Sequence, residues 1–256
     1  MKSYLSLVPI SAKVRKRQNR MTILCVIISI FLVTAIFSVA DMMIRTQSDR
    51  MTGKNGSWHI ELDGISQETA LKIAERDDVV SIGAVTIFNP DGELPYRMDG
   101  KRVVLYGIDE SYLTMNSTGA AEGRFPQGMG EIMLSSNAAR VLQVAVGDTV
   151  TLRTPSGDWD FTVSGLGGVE ESYYSGQYSL MDAYLPRTAF AALMEQNNVH
   201  NLQTSYYVQF TSASKAAKAI PELTAQHNLP ENAVSENTGV MAIAGQSDSS
   251  AAKNVY

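Results

Sequence analysis

The chain has 256 residues, of which 45% are hydrophobic, enough for one sizeable core or two small lobes. Its net charge of −5 is unevenly divided, because residues 1–40 hold six Lys/Arg and no acid. The other fifteen Lys/Arg and all 26 Asp/Glu lie in residues 41–256, and such an acidic domain argues against nucleic acid as a partner.

An uncharged apolar stretch runs from Met21 to Ala40. As a helix it would be roughly 30 Å long, which is the thickness of the hydrocarbon core of a bilayer. Lys and Arg cluster before this stretch, whereas charges of both signs follow it. The positive-inside rule therefore places the N-terminus in the cytoplasm and residues 41–256 outside. We predict a transmembrane helix whose ends are Met21 and Ala40.

A cleaved signal peptide is the main alternative, because Ser38-Val39-Ala40 has the small-x-small form of a cleavage site. The apolar stretch is longer than a signal-peptide h-region of roughly 7–15 residues, which favours retention as an anchor. Cys25, the sole cysteine of the sequence, lies within the stretch. Residues 41–256 therefore have no thiol for a disulfide, a metal site or a nucleophile.

The outer domain begins with one predicted β-α-β unit. Residues 41–56 should continue as a helix as far as Asn55-Gly56. A strand at 58–62, a helix capped by Ser66 and ending near Asp77, and a strand at 79–88 follow. The Asn89–Gly92 turn then ends the unit.

The middle of the domain is richer in strand patterns. Strands are predicted at 102–108, 131–134, 150–153, 159–164 and 178–185, and helices at 135–142 and 188–196. The Thr154–Asp158 turn joins two of these strands in a hairpin. This pattern predicts a small β-rich lobe inserted at about residues 109–186.

A second β-α-β unit is predicted near the C-terminal end. A strand at 206–210 precedes a helix at 213–227 capped by Ser212, and a weak strand follows near 233–235. Two such units around an insertion predict an α+β fold, with a ferredoxin-like or split β-α-β lobe in an outer domain at 41–238. The polar tail, 239–256, is expected to be loosely ordered.

No residue pattern identifies a catalytic, cofactor-binding or metal site, so the chain is predicted not to be an enzyme. Three histidines lack the spacing of metal ligands and are expected to be surface or packing residues: His59, His200 and His227. The paired acids Asp77-Asp78 and Glu170-Glu171 are expected at a helix end and in a solvated loop. Gly147-Asp148 should form a turn in which the carboxylate binds nearby backbone amides.

Several short stretches carry a resemblance to one family. In chain order they are Tyr4–Arg20 with the apolar stretch behind it, Glu122-Gly-Arg-Phe-Pro, Gly130-Glu-Ile-Met-Leu-Ser, Ala138–Leu152, Phe161-Thr-Val-Ser-Gly-Leu and Ala183-Tyr-Leu-Pro. Their order and content resemble the FtsX/MacB-like permease family of bacterial ABC transporters. Each motif is short, but the ordered set covers almost the whole chain.

The resemblance implies a permease subunit in the bacterial plasma (inner) membrane, whose outer domain is moved by a cytoplasmic ABC ATPase. Residues 1–20 would form a basic interfacial helix on the cytoplasmic leaflet. The implied partners are the lipid bilayer and the ATPase, and a homodimer with a second permease copy stays open. The implied roles are export, antibiotic-peptide resistance or lipoprotein release, and the family offers no catalytic residues to transfer.

The sequence departs from the family pattern in one respect, because full members have further membrane helices after the outer domain. No stretch after Ala40 reaches 18 uninterrupted apolar residues. We therefore expect a truncated member of the family, a gene fragment or a split permease subunit. The alternative is a stand-alone single-pass ectodomain that binds a ligand or cell-wall component without an ATPase, and a third hypothesis is a secreted hydrolase released after Ala40.

Overall fold

A computed structural model describes residues 16–116, 120–167, 180–230 and 232–242. The chain separates into two units, Met1–Gln47 and Ser48–Tyr256. Most of the predicted interfacial helix, the acids Glu170-Glu171 and most of the predicted tail lie outside the described residues. The fold is α+β, with one long N-terminal helix followed by a mixed domain of helices and strands.

Within the described ranges the elements are, in chain order, α1 (Lys16–Asn55), β1 (Ile60–Leu62), α2 (Gln67–Ala74), β2 (Val79–Phe88), β3 (Arg97–Met98), β4 (Lys101–Ile108), α3 (Glu110–Met115), β5 (Ala120–Gly123), β6 (Glu131–Leu134), α4 (Ser136–Leu142), β7 (Thr149–Thr154), β8 (Gly157–Gly167), β9 (Met181–Pro186), α5 (Arg187–Gln196), β10 (Thr204–Phe210), α6 (Ala213–His227) and β11 (Val234–Glu236). The predicted strand at 79–88 and the predicted helix at 213–227 are confirmed with the same bounds.

The strands of the two β-α-β units form one antiparallel sheet in the order β11-β1-β10-β2. The first unit is therefore split, because β10 of the second unit lies between β1 and β2. Helices α2 and α6 pack on the same face, where their side chains form a core with those of the strands. That core includes Ile60, Leu62, Ile73, Val208, Phe210 and Leu223.

The β-rich part closes on itself. Strands β4, β3, β7, β8, β6 and β9 pair in succession, and β9 pairs back to β4 in parallel, which makes a ring. Alternate residues point inward, as a closed sheet requires. The interior is filled by apolar side chains such as Val103, Leu105, Leu152, Phe161, Val163 and Ala183.

Side-chain caps explain where several helices begin. Ser66 and Ser212, both predicted as caps, accept hydrogen bonds from the amides of Thr69 and Lys215, at 3.1 and 3.2 Å. Asp109 caps α3 in the same way through the Tyr112 amide, at 2.9 Å. These bonds satisfy amides that a helix start would otherwise leave unpaired.

Two of the resemblance motifs, the one at Glu122–Pro126 and the one at Gly130–Ser135, meet at one corner of the ring. The Arg124 guanidinium donates two hydrogen bonds to the Glu131 carboxylate, at 2.9 and 2.5 Å. The same carboxylate accepts the amides of Gln127 and Gly128, at 2.8 and 3.1 Å. These contacts lower the pKa of Glu131 to about 2. The hydrogen bonds from Arg124 have the largest effect, and those from the two amides come next. The motif residues therefore hold the loop between β5 and β6 in place.

Three short elements were not predicted: β3, α3 and β5. Strand β3 has two residues and pairs through a turn at Asp99-Gly100, which both have positive φ. Strand β5 is mostly exposed and lacks an apolar alternation. Such elements are specified by their neighbours rather than by a pattern of their own.

We predict that Glu131→Gln lowers the melting temperature of the detergent-solubilised full chain at neutral pH. The pKa of Glu131 is depressed from 4.5 to about 2, so its stabilisation is present above pH 4.5 and is lost as the pH falls toward 2. The melting difference between wild type and variant should therefore shrink over this interval. A difference that stays constant from pH 7 to pH 2 would contradict the role given to this carboxylate.

Candidate functional site

The apolar part of α1 is the first candidate functional element. From Gln18 to Met43 the helix has a mean hydropathy of 2.9 over 26 residues, and none of this stretch is buried. At 1.5 Å per residue it is about 39 Å long, which exceeds the roughly 30 Å of a hydrocarbon core. By length and composition it can cross a membrane, and it contains the predicted span from Met21 to Ala40.

Hydroxyl groups in this stretch are satisfied within the helix. Each donates a hydrogen bond to the carbonyl four residues earlier, at distances from 2.8 to 3.1 Å, as seen at Thr22, Ser29, Thr34 and Ser38. Polar groups without partners are costly in hydrocarbon. The hydroxyl side chains of the stretch are therefore compatible with lipid on every side of the helix.

The end of α1 is joined to the mixed α+β domain by a tightly packed junction, which we define as Gly56–Trp58. The Gly56 amide donates to the Thr52 carbonyl at 2.8 Å, and its φ of +81° favours glycine. The Ser57 amide and hydroxyl both donate to the Met115 carbonyl at the end of α3, at 2.5 and 3.2 Å. The junction is therefore anchored to α3.

Aromatic side chains continue from this junction across the face of the split sheet that is opposite α2 and α6. The Trp58 ring meets Tyr207 edge-on at 4.9 Å, and Tyr207 meets Tyr112 at 5.1 Å. The Tyr207 hydroxyl donates to the Glu61 carboxylate at 2.7 Å. Burial raises the pKa values of Glu61 and Tyr207, and it raises that of Tyr112 to about 12. Both tyrosines of this cluster are therefore protonated at neutral pH.

The residues considered for chemistry are scattered through the fold. His59 is buried, its Nδ1 accepts the Phe210 amide at 3.1 Å, and burial lowers its pKa. It is therefore a packing residue. Asp148 accepts the Ala145 amide at 2.8 Å, which confirms its predicted turn role. Within the described ranges, no group of three or more His, Cys, Asp or Glu side chains is placed to hold a metal ion.

A cavity of about 400 Å³ lies elsewhere in the second unit, between α5 and the strands β2, β4 and β10. The chain segment Val199–Leu202 forms one wall. No sequence pattern indicates this cavity, because its walls come from segments as far as 118 residues apart, as Thr86 and Thr204 are.

The comparisons with known proteins agree with this architecture. The model of a family described as the MacB-like periplasmic core domain matches residues 21–226. The chain is also similar to the periplasmic region of MacB from Actinobacillus actinomycetemcomitans, at 14% identity and a TM-score of 0.52, over 80% of this chain and 97% of that one. At this identity the likeness shows the fold alone.

A second solved structure resembles the chain less well. It is the extracellular domain of the noncanonic ABC-type transporter YknZ from Gram-positive bacteria, at 16% identity and a TM-score of 0.47, with 67% of this chain and 88% of that one covered. The comparison with curated proteins found no match.

The junction gives a prediction with a matched control. A Cβ at Gly56 would lie 2.7 Å from both the Met115 carbonyl oxygen and the Trp58 ring, whereas a Cβ at Gly64 meets nothing within 4 Å. Both glycines have positive φ. Gly64→Ala should therefore lose about 1–2 kcal/mol of unfolding free energy from its backbone alone. Gly56→Ala should lose about 1–3 kcal/mol more, because the clash adds to the backbone cost.

Chemical denaturation of the full chain in detergent measures both losses. Equal losses for the two variants would mean that the Gly56–Trp58 junction is not tightly packed.

Proposed function

This chain belongs to the family of MacB-like periplasmic core domains, and on that premise we propose that it is the membrane helix and outer domain of an ABC-transporter permease. A partner ATPase in the cytoplasm moves the outer domain, and the motion serves export, antibiotic-peptide resistance or lipoprotein release. A second permease copy completes a homodimer in the membrane.

One observation carries the proposal. The family match starts at Met21, where the uncharged apolar stretch begins, and it continues through the first β-α-β unit and the ring to residue 226, near the end of α6. The match therefore includes the apolar helix and most of the outer domain in their expected order. We propose the same division of the chain: a basic interfacial segment at 1–20, a span at 21–40 and an outer domain at 41–238. Its β-rich part takes in the ring strands from Arg97 to Pro186, including the predicted insertion at 109–186.

The proposed orientation follows from charge. The six basic residues before the span stay on the cytoplasmic side, where anionic lipids attract each of them by about 1 kcal/mol. The acidic domain then lies outside the bacterial plasma membrane. This arrangement puts the basic segment on the same side as an ATPase.

Cysteine labelling tests the orientation. Because Cys25 is the sole cysteine, Cys25→Ser gives a background free of thiols. In that background, Ser156→Cys in the exposed turn between β7 and β8 should react with a membrane-impermeant maleimide on intact cells. Ser11→Cys should react only after the cells are permeabilised. The reverse pattern would place the outer domain in the cytoplasm and overturn the proposal.

Purification of the tagged full chain from its native membranes tests the ATPase partner. In a mild detergent, an ABC ATPase should co-purify in near-stoichiometric amount, and a second, differently tagged copy of the permease should co-purify with it. The control bait keeps residues 41–256 and replaces residues 1–40 by an unrelated single-span anchor, which should lose the ATPase. Recovery of the intact chain without any ATPase would favour a stand-alone ligand-binding ectodomain instead.

A further inference from the structure

The cavity beside α5 has an apolar floor with fixed side chains. Phe190 and Met194 are 5% and 3% exposed, and both also belong to the core of the ring. Gly107 of β4 lies beneath the Phe190 ring, and a Cβ at Gly107 would be 2.5 Å from the ring carbons. The glycine therefore lets the ring lie directly on the strand. At about 400 Å³ the cavity is within the usual range for sites that bind small molecules.

One end of this cavity carries a positive charge. Arg187, the first residue of α5, lines the cavity and is half-buried. Among the described residues its guanidinium makes no hydrogen bond and no close ion pair, but it attracts the Asp109 carboxylate electrostatically. That carboxylate accepts the amides of Ala84 and Tyr112, each at 2.9 Å. A guanidinium carries five N–H donors, and their planar arrangement suits the carboxylate of a ligand.

The other polar groups orient a ligand along the cavity. Glu195 lies at the opposite end of the α5 face, eight residues and about 12 Å from Arg187 along the helix. An anionic group is therefore attracted to one end and repelled from the other. Also in the cavity lining, the Thr86 and Thr204 hydroxyls share one hydrogen bond of 2.7 Å, which leaves the accepting hydroxyl its own proton to donate.

We propose that this cavity binds a small carboxylate with an apolar body, its carboxylate on Arg187 and its apolar part over Phe190 and Met194. Two kinds of ligand fit this description: the carboxyl terminus of a peptide and a short-chain fatty acid. Both present a carboxylate attached to an apolar body. The site lies within the outer domain and needs no ATPase. Its binding can be measured whether or not the proposed permease function holds.

The experiment uses the full chain in nanodiscs, labelled with ¹³C on its methionine methyl groups. Met194 lines the cavity, so its methyl resonance reports occupancy, and Met194→Leu assigns it. The probes are two matched pairs: N-acetylphenylalanine with its amide, and octanoate with octanamide. Each acid differs from its amide in charge but hardly in size. The pair that binds identifies the source of the ligand.

At least one acid should shift the Met194 resonance saturably, and its amide should bind roughly tenfold more weakly or worse. Arg187→Gln should abolish this preference. The control Arg153→Gln, an exposed arginine on β7 outside the cavity, should keep it. Equal binding of acid and amide, the absence of any saturable shift, or a preference that survives Arg187→Gln would overturn the proposal.

The methyl resonances of the buried Met98 and Met133 reveal whether Arg187→Gln disturbs the fold. If it does, a second variant still tests the proposal. Ala191→Phe fills the cavity from its exposed side and leaves the arginine in place. It should remove the Met194 shift for every probe. Undiminished binding to this variant would show that the ligand sits elsewhere.

Discussion

The α+β domain depends on one strand, β4, whose backbone pairs with both the split sheet and the ring. On one edge, the C-terminal half of β4 pairs with β2 of the split sheet, and its first two residues pair with β3. The other edge pairs in parallel with β9 of the ring. Because six residues are matched along β9, a shift of one residue in β4 would turn inward-facing side chains outward in the ring and misalign the sheet. The registers of the two parts are therefore linked through a single strand.

Helix α3 has a comparable role at the junction. Its start is capped by Asp109, which also binds the Ala84 amide of β2, and its last carbonyl holds Ser57. A Cβ at Gly83 would lie 2.5 Å from the Tyr112 amide, so the helix lies directly on β2. The Gly56–Trp58 junction, α3 and β2 thus form one continuous contact path. Burial, hydrogen bonding and glycine placement all contribute to its rigidity.

The sequence predicted the elements that have their own periodic signal. The apolar run of β2 ends at the Asn89–Gly92 turn, and α6 begins at the Ser212 cap, so both were found with their observed bounds. The six residues of α3 are too few for a periodic pattern, and the helix depends on contacts with Gly83 and Ser57 from distant segments. The ring closure is equally non-local, because β4 and β9 are more than 70 residues apart. Local sequence patterns do not predict pairings between strands that are so far apart in the chain.

The same distinction separates the residues that reveal the family from those that bind a ligand. The motif residues Arg124, Glu131 and Asp148 hold loops through amides and ion pairs, so they report the fold. Arg187 belongs to none of the resemblance motifs, and its cavity exists only after strands β2, β4 and β10 meet α5. A domain can therefore keep every motif of the family and still change what its cavity binds. Family membership determines the scaffold, whereas ligand choice resides in the cavity side chains that the scaffold brings together.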